Sequence, residues 1–488
     1  MYSLTLDEVK SLGRDGNLVP VYREIVADME TPVSAFLKIN RGGNSFLLES
    51  VEGGDRLARY SFIGTEPYRL LNLGPEDSGD PLEAIKKELG RYRVVAVPGL
   101  PRYCGGAVGY LAYETINRFE ELPSPSADTL GLPEASFMFA DTLLVFDHVS
   151  HNIKVLSHVS LDGDIEAAYR QATGRIDDLV ERLGRPLPAK QVQNMPTNKS
   201  DSCSSFTRED FEKSVSTIKE YISSGEAIQV VLSRRLSRPT AAVPFDVYRA
   251  LRSINPSPYM FYLDFKDFQI IGASPEILVR VEDGHVMTRP LAGTRPRGKT
   301  PEEDTALEEE LRGDDKERAE HIMLVDLGRN DIGRVSVPGT VVVSELMDVE
   351  RYSHVMHLVT HVQGKLRPDL GCFDALRACF PAGTVSGAPK IRAMQIIASL
   401  EPERRGPYAG AAGYFSFSGN MDMAIAIRTM VMAGGMAHTQ SGCGIVYDSI
   451  PSREFEETQL KARALLKAID QAENPEDLPR RNHVTAGR

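Results

Sequence analysis

Residues 410–447 read GAAGYFSFSGNMDMAIAIRTMVMAGGMAHTQSGCGIVY, and this stretch decides the fold. Apolar runs broken by Ser-Gly-Asn and Ala-Gly-Gly make it hairpin-like, with strand following strand. Toward the N-terminus the same signature recurs in AIQVVLSRRL, YMFYLDF, FQIIGASPEILVRV, HVMTRPLAGT, TVVVSEL and SHVMHLVTHVQGKL. Helical patterns lie between them. One opens at Thr207 as N-cap, with Glu209 and Asp210 in its first turn and the stripe Phe211, Val215, Ile218, Ile222, and it ends at Gly225. Others cover residues 245–254, an acidic segment 302–311, and 390–400. Further out, SFLLES, RYSFIG, RLLNL, GGAVGYLAYETI, ASFMFADTLLVFDH and NIKVLSHV read as strands, and residues 164–183 as a helix. Many consecutive strands with helices interspersed predict an α+β sandwich of two large antiparallel sheets with outer helices. Residues 185–206, RPLPAKQVQNMPTNKSDSCSSF, have no periodicity and read as a linker. It separates an N-terminal region, 1–184, from a second region, 207–470, that carries the active-site cleft; a tail, 471–488, follows.

At 488 residues the chain exceeds one simple core, and its 42% hydrophobic and 25% charged content is that of a soluble globular protein. The net charge of −12, from 68 acids against 56 bases, argues against a nucleic-acid partner. The N-terminus lacks the pattern of a secretory signal, and no apolar stretch approaches the ~18–20 residues of a membrane span. Five scattered cysteines without a C-x-x-C pair fit a reducing cytoplasm better than a disulfide framework or zinc site. The chain contains no tryptophan.

Two carboxylate couplets carry the chemistry. Glu317 and Glu320 lie in DDKERAEHIMLVDLGRND, and Glu454 and Glu457 in PSREFEETQLKARAL. Spacing of i,i+3 puts both acids of each couplet on one helical face. An isolated Glu-x-x-Glu is ordinarily a solvated face, but these two sit among glycine turns dense in Arg and His. Four convergent carboxylates call for a hard cation, with magnesium the natural candidate. RPLAGTRPRG sets Gly293 and Thr294 between basic residues, PAGTVSGAPK leads into a helix start that could face an anion, and SGCGIV lets backbone approach a ligand. Arg428 ends the apolar run AIAIRTM, where a charge calls for a carboxylate partner. Together these features imply a small, multiply anionic substrate held partly through magnesium. His354, His357 and His361 lie in a β-branched, alternating segment, so strand rather than a zinc helix is expected, with His357 a candidate acid/base group.

Taken in order, RPLAGTRPRG, AEHIMLVDLGRND, RYSHVMHLV, PAGTVSGAPK, GCGIV and SREFEETQLKA resemble the motifs of chorismate-utilising enzymes. In detail they are similar to the large subunits of anthranilate synthases, and LLES and GYLAYE near the N-terminus match as well. The resemblance implies a lyase in which Glu320 and Glu457 bind magnesium directly and Glu317 and Glu454 support it through water. The metal would hold the ring carboxylate of chorismate. Gly293, Thr294, Tyr408, Arg428, Gly442, Cys443 and Gly444 would line the substrate site, with Arg428 gripping the enolpyruvyl carboxylate. Glu276, in GASPE, would protonate the departing C4 hydroxyl, His357 would assist pyruvate elimination, and Thr384 matches an active-site threonine. Cys443 stands where the family usually has alanine.

Within that family, aminodeoxychorismate synthases usually carry a nucleophilic lysine where this chain has Ala292. Isochorismate and salicylate synthases usually carry a lysine base where it has Gln229. Both departures favour ammonia as nucleophile and anthranilate as product. The alternatives are an aminodeoxychorismate synthase, or a non-catalytic tryptophan-binding regulatory protein that keeps the fold. The chain has no G-x-C-x-G glutaminase elbow, so ammonia from glutamine would need a separate amidotransferase subunit (component II), with two large and two small subunits expected in a heterotetramer. The family's tryptophan site lies between an LLES and an NPSPYM segment, here residues 47–50 and 255–260. Ser50, Pro258, Tyr259 and Met260 would therefore contact the inhibitor, although LLES also reads simply as an edge strand and NPSPY as a turn.

Overall fold

In the computed structural model, residues 1–51, 59–188, 202–352 and 355–474 are described. His354, part of the proposed linker (189–201) and the end of the tail (475–488) lie outside the described residues.

The deciding stretch resolves into two hairpins. Ala411–Ser416 pairs with Met421–Ile425, and Thr429–Ala433 pairs with Met436–Ile445, but the two hairpins belong to different sheets. Among the described residues one sheet has 12 strands and the other 10, and every pairing is antiparallel. This is the predicted α+β sandwich. The larger sheet runs from Leu18–Val26 through Asn152–Ser160, Thr142–Asp147, Tyr60–Thr65, Ser45–Glu49, Tyr259–Asp264, Phe268–Ser274, Thr429–Ala433 and Met436–Ile445 to Gln229–Pro239 and Gly387–Ala388. Strands from early and late in the chain thus share it, joined where Leu48 faces Phe261. The smaller sheet holds Leu291–Pro296, Val355–Lys365, Ile277–Glu282, Met421–Ile425, Ala411–Ser416 and Gly106–Leu111 among others.

Alternation along each strand aims one set of side chains at the opposite sheet. Phe46, Phe62 and Phe261 from the larger sheet meet Val108, Tyr110 and Tyr414 from the smaller one, all buried in one cluster. Outside, the helix Ile165–Leu183 covers the Asn152–Ser160 strand, and Pro451–Glu473 packs on Pro244–Ile254 and on the Met436–Ile445 strand. No helix among the described residues is long and apolar enough to cross a membrane.

The sequence pattern merged strands that the structure separates. ASFMFADTLLVFDH breaks at Asp141 into Ala135–Ala140 and Thr142–Asp147, one in each sheet. FQIIGASPEILVRV breaks at Pro275, which lacks the N–H to continue a ladder, into Phe268–Ser274 and Ile277–Glu282, again one in each sheet. A third passage between sheets occupies residues 426–428. The passages at 275–276 and 426–428 carry residues singled out above, Glu276 and Arg428.

Candidate active site

The passages at 275–276 and 426–428 are tied together. Ser274 Oγ donates to the Ile425 carbonyl at 2.7 Å, and the Ile425 N–H donates to the Glu276 carbonyl at 3.0 Å. Glu276 is 6% exposed and has no cationic partner. Burial pushes its carboxyl up to about 8, against smaller opposing effects of the Thr384 hydroxyl and the Leu291 backbone N–H. The side chain is therefore mainly a neutral acid at pH 7. Thr384 Oγ1 lies near that carboxyl yet is buried without a hydrogen bond of good geometry.

Arg428 adopts φ 50°, a left-handed conformation that costs a non-glycine residue about 1–3 kcal/mol. Its carbonyl accepts from Ala273 N–H at 3.1 Å, which anchors the turn between sheets. The guanidinium makes no ion pair or hydrogen bond among the described residues. Burial lowers its proton affinity, with the Tyr408 phenol and Glu457 carboxylate as the nearest offsetting groups. A half-buried cation without an anion is costly, and a ligand carboxylate would relieve that cost.

His357 reaches the same place from the Val355–Lys365 strand. Its neighbour Leu291–Pro296 shifts register between Ala292 and Arg295, where Gly293 takes φ 66°. The irregularity turns the Gly293 carbonyl to 2.8 Å and the Thr294 hydroxyl to 3.1 Å from His357 Nδ1. A carbonyl only accepts, so Nδ1 carries the proton and Nε2 keeps its lone pair. Burial and nearby Arg428 lower the imidazole's pKa, which leaves a neutral base at pH 7.

The carboxylate couplets come from two helices, Asp315–Gly333 and Pro451–Glu473. Asp314 caps the first helix through the backbone N–H groups of Lys316 and Glu317. Burial and the neighbouring Glu320 raise the Glu317 pKa. Burial, with Glu457 adding to it, raises that of Glu454. Lys316 of the first helix acts on Glu454 of the second, so the two couplets face one another. Three of the four acids have a charged or amide partner. Arg295 lies 3.5 Å from Glu317, Gln229 Nε2 donates to Glu320 at 3.0 Å, and Lys461 contacts Glu457 at 2.7 Å. No three His, Cys, Asp or Glu side chains among the described residues converge closely enough to hold a metal as they stand. The donor set is nonetheless all hard oxygen, and in each couplet the neighbouring carboxylate adds to burial in raising the pKa of Glu317 or Glu454. That chemistry fits a divalent cation, with Arg295 and Lys461 as the counter-charges it would displace.

Gly442 and Gly444 share one face of the Met436–Ile445 strand. A Cβ at 442 would lie 2.8 Å from Tyr408 Oη and 2.9 Å from the Leu232 carbonyl, and one at 444 would collide with the Gln229 amide. Cys443, between them, points the other way into the cluster of Leu232, Phe455 and Ile445, beside Glu454. Only its backbone is on the side of the two glycines, and its buried thiol has a raised pKa. Two more residues complete the site: Gln229, met in the sequence only as the residue in place of a family lysine, and Lys461, which pattern reading passed over. Gln229 is the hydrogen-bond partner of Glu320, and its own Oε1 is buried without a partner. Lys461 joins Glu457 to the Gly442 carbonyl, to which it donates at 3.0 Å. The i,i+4 spacing of Glu457 and Lys461 in EETQLK was the available signal.

Ser50, Pro258, Tyr259 and Met260 gather elsewhere, around a cavity of about 370 Å³ between the sheets. Its floor is charged: Arg280 Nε donates to Asp422 Oδ2 at 3.0 Å, and Tyr259 Oη accepts from Arg280 at 3.1 Å. Arg280 and Asp422 lie on Ile277–Glu282 and Met421–Ile425, the strands that lead to Glu276 and Arg428.

A family profile described as "chorismate binding enzyme" matches residues 43–467. The chain is 50% identical over 490 residues to "Anthranilate synthase component 1" of Acetivibrio thermocellus, covering 97% of this chain and 99% of that one. It is 48% identical over 487 residues to the protein of the same name from Pseudomonas aeruginosa, with 96% and 99% covered. Among solved structures it is similar to anthranilate synthase component I from Streptococcus pneumoniae, at 39% identity and a TM-score of 0.76, covering 90% of this chain and 98% of that one.

Proposed function

The chain belongs to the chorismate-binding enzymes, and from that membership we propose that it converts chorismate and ammonia into anthranilate, pyruvate and water. Ammonia adds at C2 as the C4 hydroxyl leaves. Loss of the C2 proton with cleavage of the C3–O bond then aromatises the ring and releases pyruvate. The relatives at about half identity bear the matching name. The observation that carries the choice of nucleophile is Gln229. Its Nε2 is committed to Glu320, and its Oε1 is buried and open. An amide oxygen can accept a hydrogen bond from ammonia but is too weak a base to activate water. Ala292, buried in its strand, offers no competing amine.

Glu276 delivers its proton to the departing hydroxyl, and Thr384 lies beside it. Arg428 takes the enolpyruvyl carboxylate, and Gly293, Thr294, Tyr408, Gly442 and Gly444 line the substrate. His357, neutral with Nε2 free, assists the elimination. Glu320 and Glu457 would hold magnesium directly, with Glu317 and Glu454 behind them; when bound, the ion supplies the positive charge that holds the ring carboxylate. The pure chain with chorismate, magnesium and ammonium is expected to develop anthranilate fluorescence. The signal should vanish with EDTA, return with added magnesium, and be absent in Glu320→Ala. Consumption of chorismate to a different product would sink the reading.

Glutamine-dependent activity requires a separate amidotransferase subunit, with two copies of each subunit assembling in the cytoplasm. The 370 Å³ cavity lies within the range of small-ligand sites and joins apolar walls to the Arg280–Asp422 pair, which suits a zwitterionic amino acid with a large ring. Tryptophan bound there inhibits turnover. Because the chain has no tryptophan of its own, indole emission reports the ligand alone. Titration should give a saturable emission change and parallel loss of activity, both weakened about tenfold or more in Met260→Ala. Full activity at saturating tryptophan would rule the regulation out.

A further inference from the structure

Glu276 is sealed from solvent, yet on the proposed reaction it loses its proton in every turnover. A separate void of about 30 Å³ lies beside it, lined by Glu276, Thr384, Pro290, Leu327, Gly328 and Asp331 among others. One water needs about 10–15 Å³ of such space and two or more polar partners. The void offers the room and the partners: the Glu276 carboxyl, the Thr384 hydroxyl, which lies near that carboxyl without a hydrogen bond of good geometry, and Asp331.

Asp331 is 6% exposed and occupies the last turn of Asp315–Gly333, where the helix dipole disfavours a carboxylate. Lys390 Nζ donates to it at 2.8 Å and lies 3.4 Å from the Cys379 carbonyl. Arg334 and Asn330 on its own helix, and Cys379 across from it, complete its polar surroundings. Burial raises its proton affinity above that of an ordinary aspartate, and Lys390 opposes this in part. A purely structural ion pair would not need a void that also opens onto the catalytic acid.

We propose that ordered water in this void links Glu276 to Asp331, and that Glu276 is reprotonated through Asp331 between turnovers. The proposal rests on the reading of Glu276 as the acid. The proton Glu276 gives up leaves as part of the released water molecule. The resulting carboxylate takes a proton from the water in the void, which takes one from Asp331. Asp331 is resupplied from bulk solvent along the partly exposed Lys390 side. Asp331 never touches substrate and acts only through Glu276.

Two variants separate relay from scaffold. A Cβ at Gly328 would point at Thr288 Cγ2, 3.1 Å away, and Pro290 Cγ, 3.4 Å away, both lining the same void. Gly328→Ala therefore narrows the void at its wall; alanine improves helix propensity while the 3.1 Å approach to Thr288 asks for a small shift, so the melting temperature is measured alongside the kinetics. Asp331→Asn removes the relay group. Both should lower kcat about tenfold or more with KM for chorismate nearly unchanged, and both should raise the solvent deuterium isotope effect on kcat. Asp331→Glu, which keeps a carboxyl, should recover part of the rate. The proposal is overturned if kcat and the isotope effect stay at wild-type values in Gly328→Ala. It is also overturned if Asp331→Glu and Asp331→Asn lose activity and melting temperature equally. Failure of the wild-type chain to make anthranilate would instead overturn the activity reading, and the variant-to-wild-type ratio for the product it does make would still test the relay.

Discussion

Glu276→Gln lowers kcat for anthranilate formation by about 10²–10⁴-fold, the usual worth of a positioned general acid, with KM for chorismate little changed. Glutamine keeps the shape and a hydrogen-bond donor, so binding survives while proton delivery to the C4 hydroxyl is lost. Wild-type activity should also show an alkaline limb. Burial holds the Glu276 carboxyl up to about 8, and the protonated form is the active one, so kcat falls as pH rises through that value. Stability follows the same sign. A buried carboxyl with a raised pKa holds a proton that the unfolded chain has already lost, so its contribution is intact below the ordinary glutamate range. It declines as pH rises from there toward 8. Profiles of kcat against pH for the two proteins test this. A wild-type limb near 8 that persists unchanged in Glu276→Gln would assign the titration to another group.

Arg428→Met should separate stability from function. The guanidinium is half-buried with no ion pair among the described residues, so an apolar side chain of similar length is expected to hold or raise the melting temperature. With substrate, the variant leaves the enolpyruvyl carboxylate unpaired in a desolvated site. Loss of one partner of such a pair costs about 2–5 kcal/mol, or roughly 30- to several-thousand-fold in kcat/KM. Calorimetry and steady-state kinetics on one preparation give both numbers. A large fall in melting temperature with modest kinetic loss would make Arg428 a folding residue. The left-handed backbone at 428 points the same way, because such strain persists where the surrounding structure holds a residue in a working position.

Much of this was legible in the chain. The helix start at Thr207 is as expected, its hydroxyl accepting from Asp210 N–H at 3.1 Å, and the helix at 390–400 has the bounds its pattern implied. The i,i+3 rule identified both couplets because a helix brings residues together over a known short distance. Passages between sheets were not legible. Strand pattern is local, and FQIIGASPEILVRV looks the same whether its two halves share a sheet or part company. Asp331 and the tie between Gln229 and Glu320 escaped for a related reason. Gln229 gains its meaning from Glu320, 91 positions away, and Asp331 from a void shared with Glu276. The side chain of Cys443 was not legible either. Adjacency grouped it with Gly442 and Gly444, whereas the two-residue strand repeat sends its side chain to the opposite face.

The larger sheet takes one set of its strands from the start of the chain and the other set from its later part, and the single seam runs where Ser45–Glu49 meets Tyr259–Asp264. Cutting the gene between the two regions would leave each product with a long unpaired edge, a template for aggregation rather than a smaller working protein. The cavity for the proposed inhibitor borders that seam. On that proposal, feedback control would not be a detachable module gained or lost by domain shuffling, and its ancestry would be bound to that of the catalytic fold.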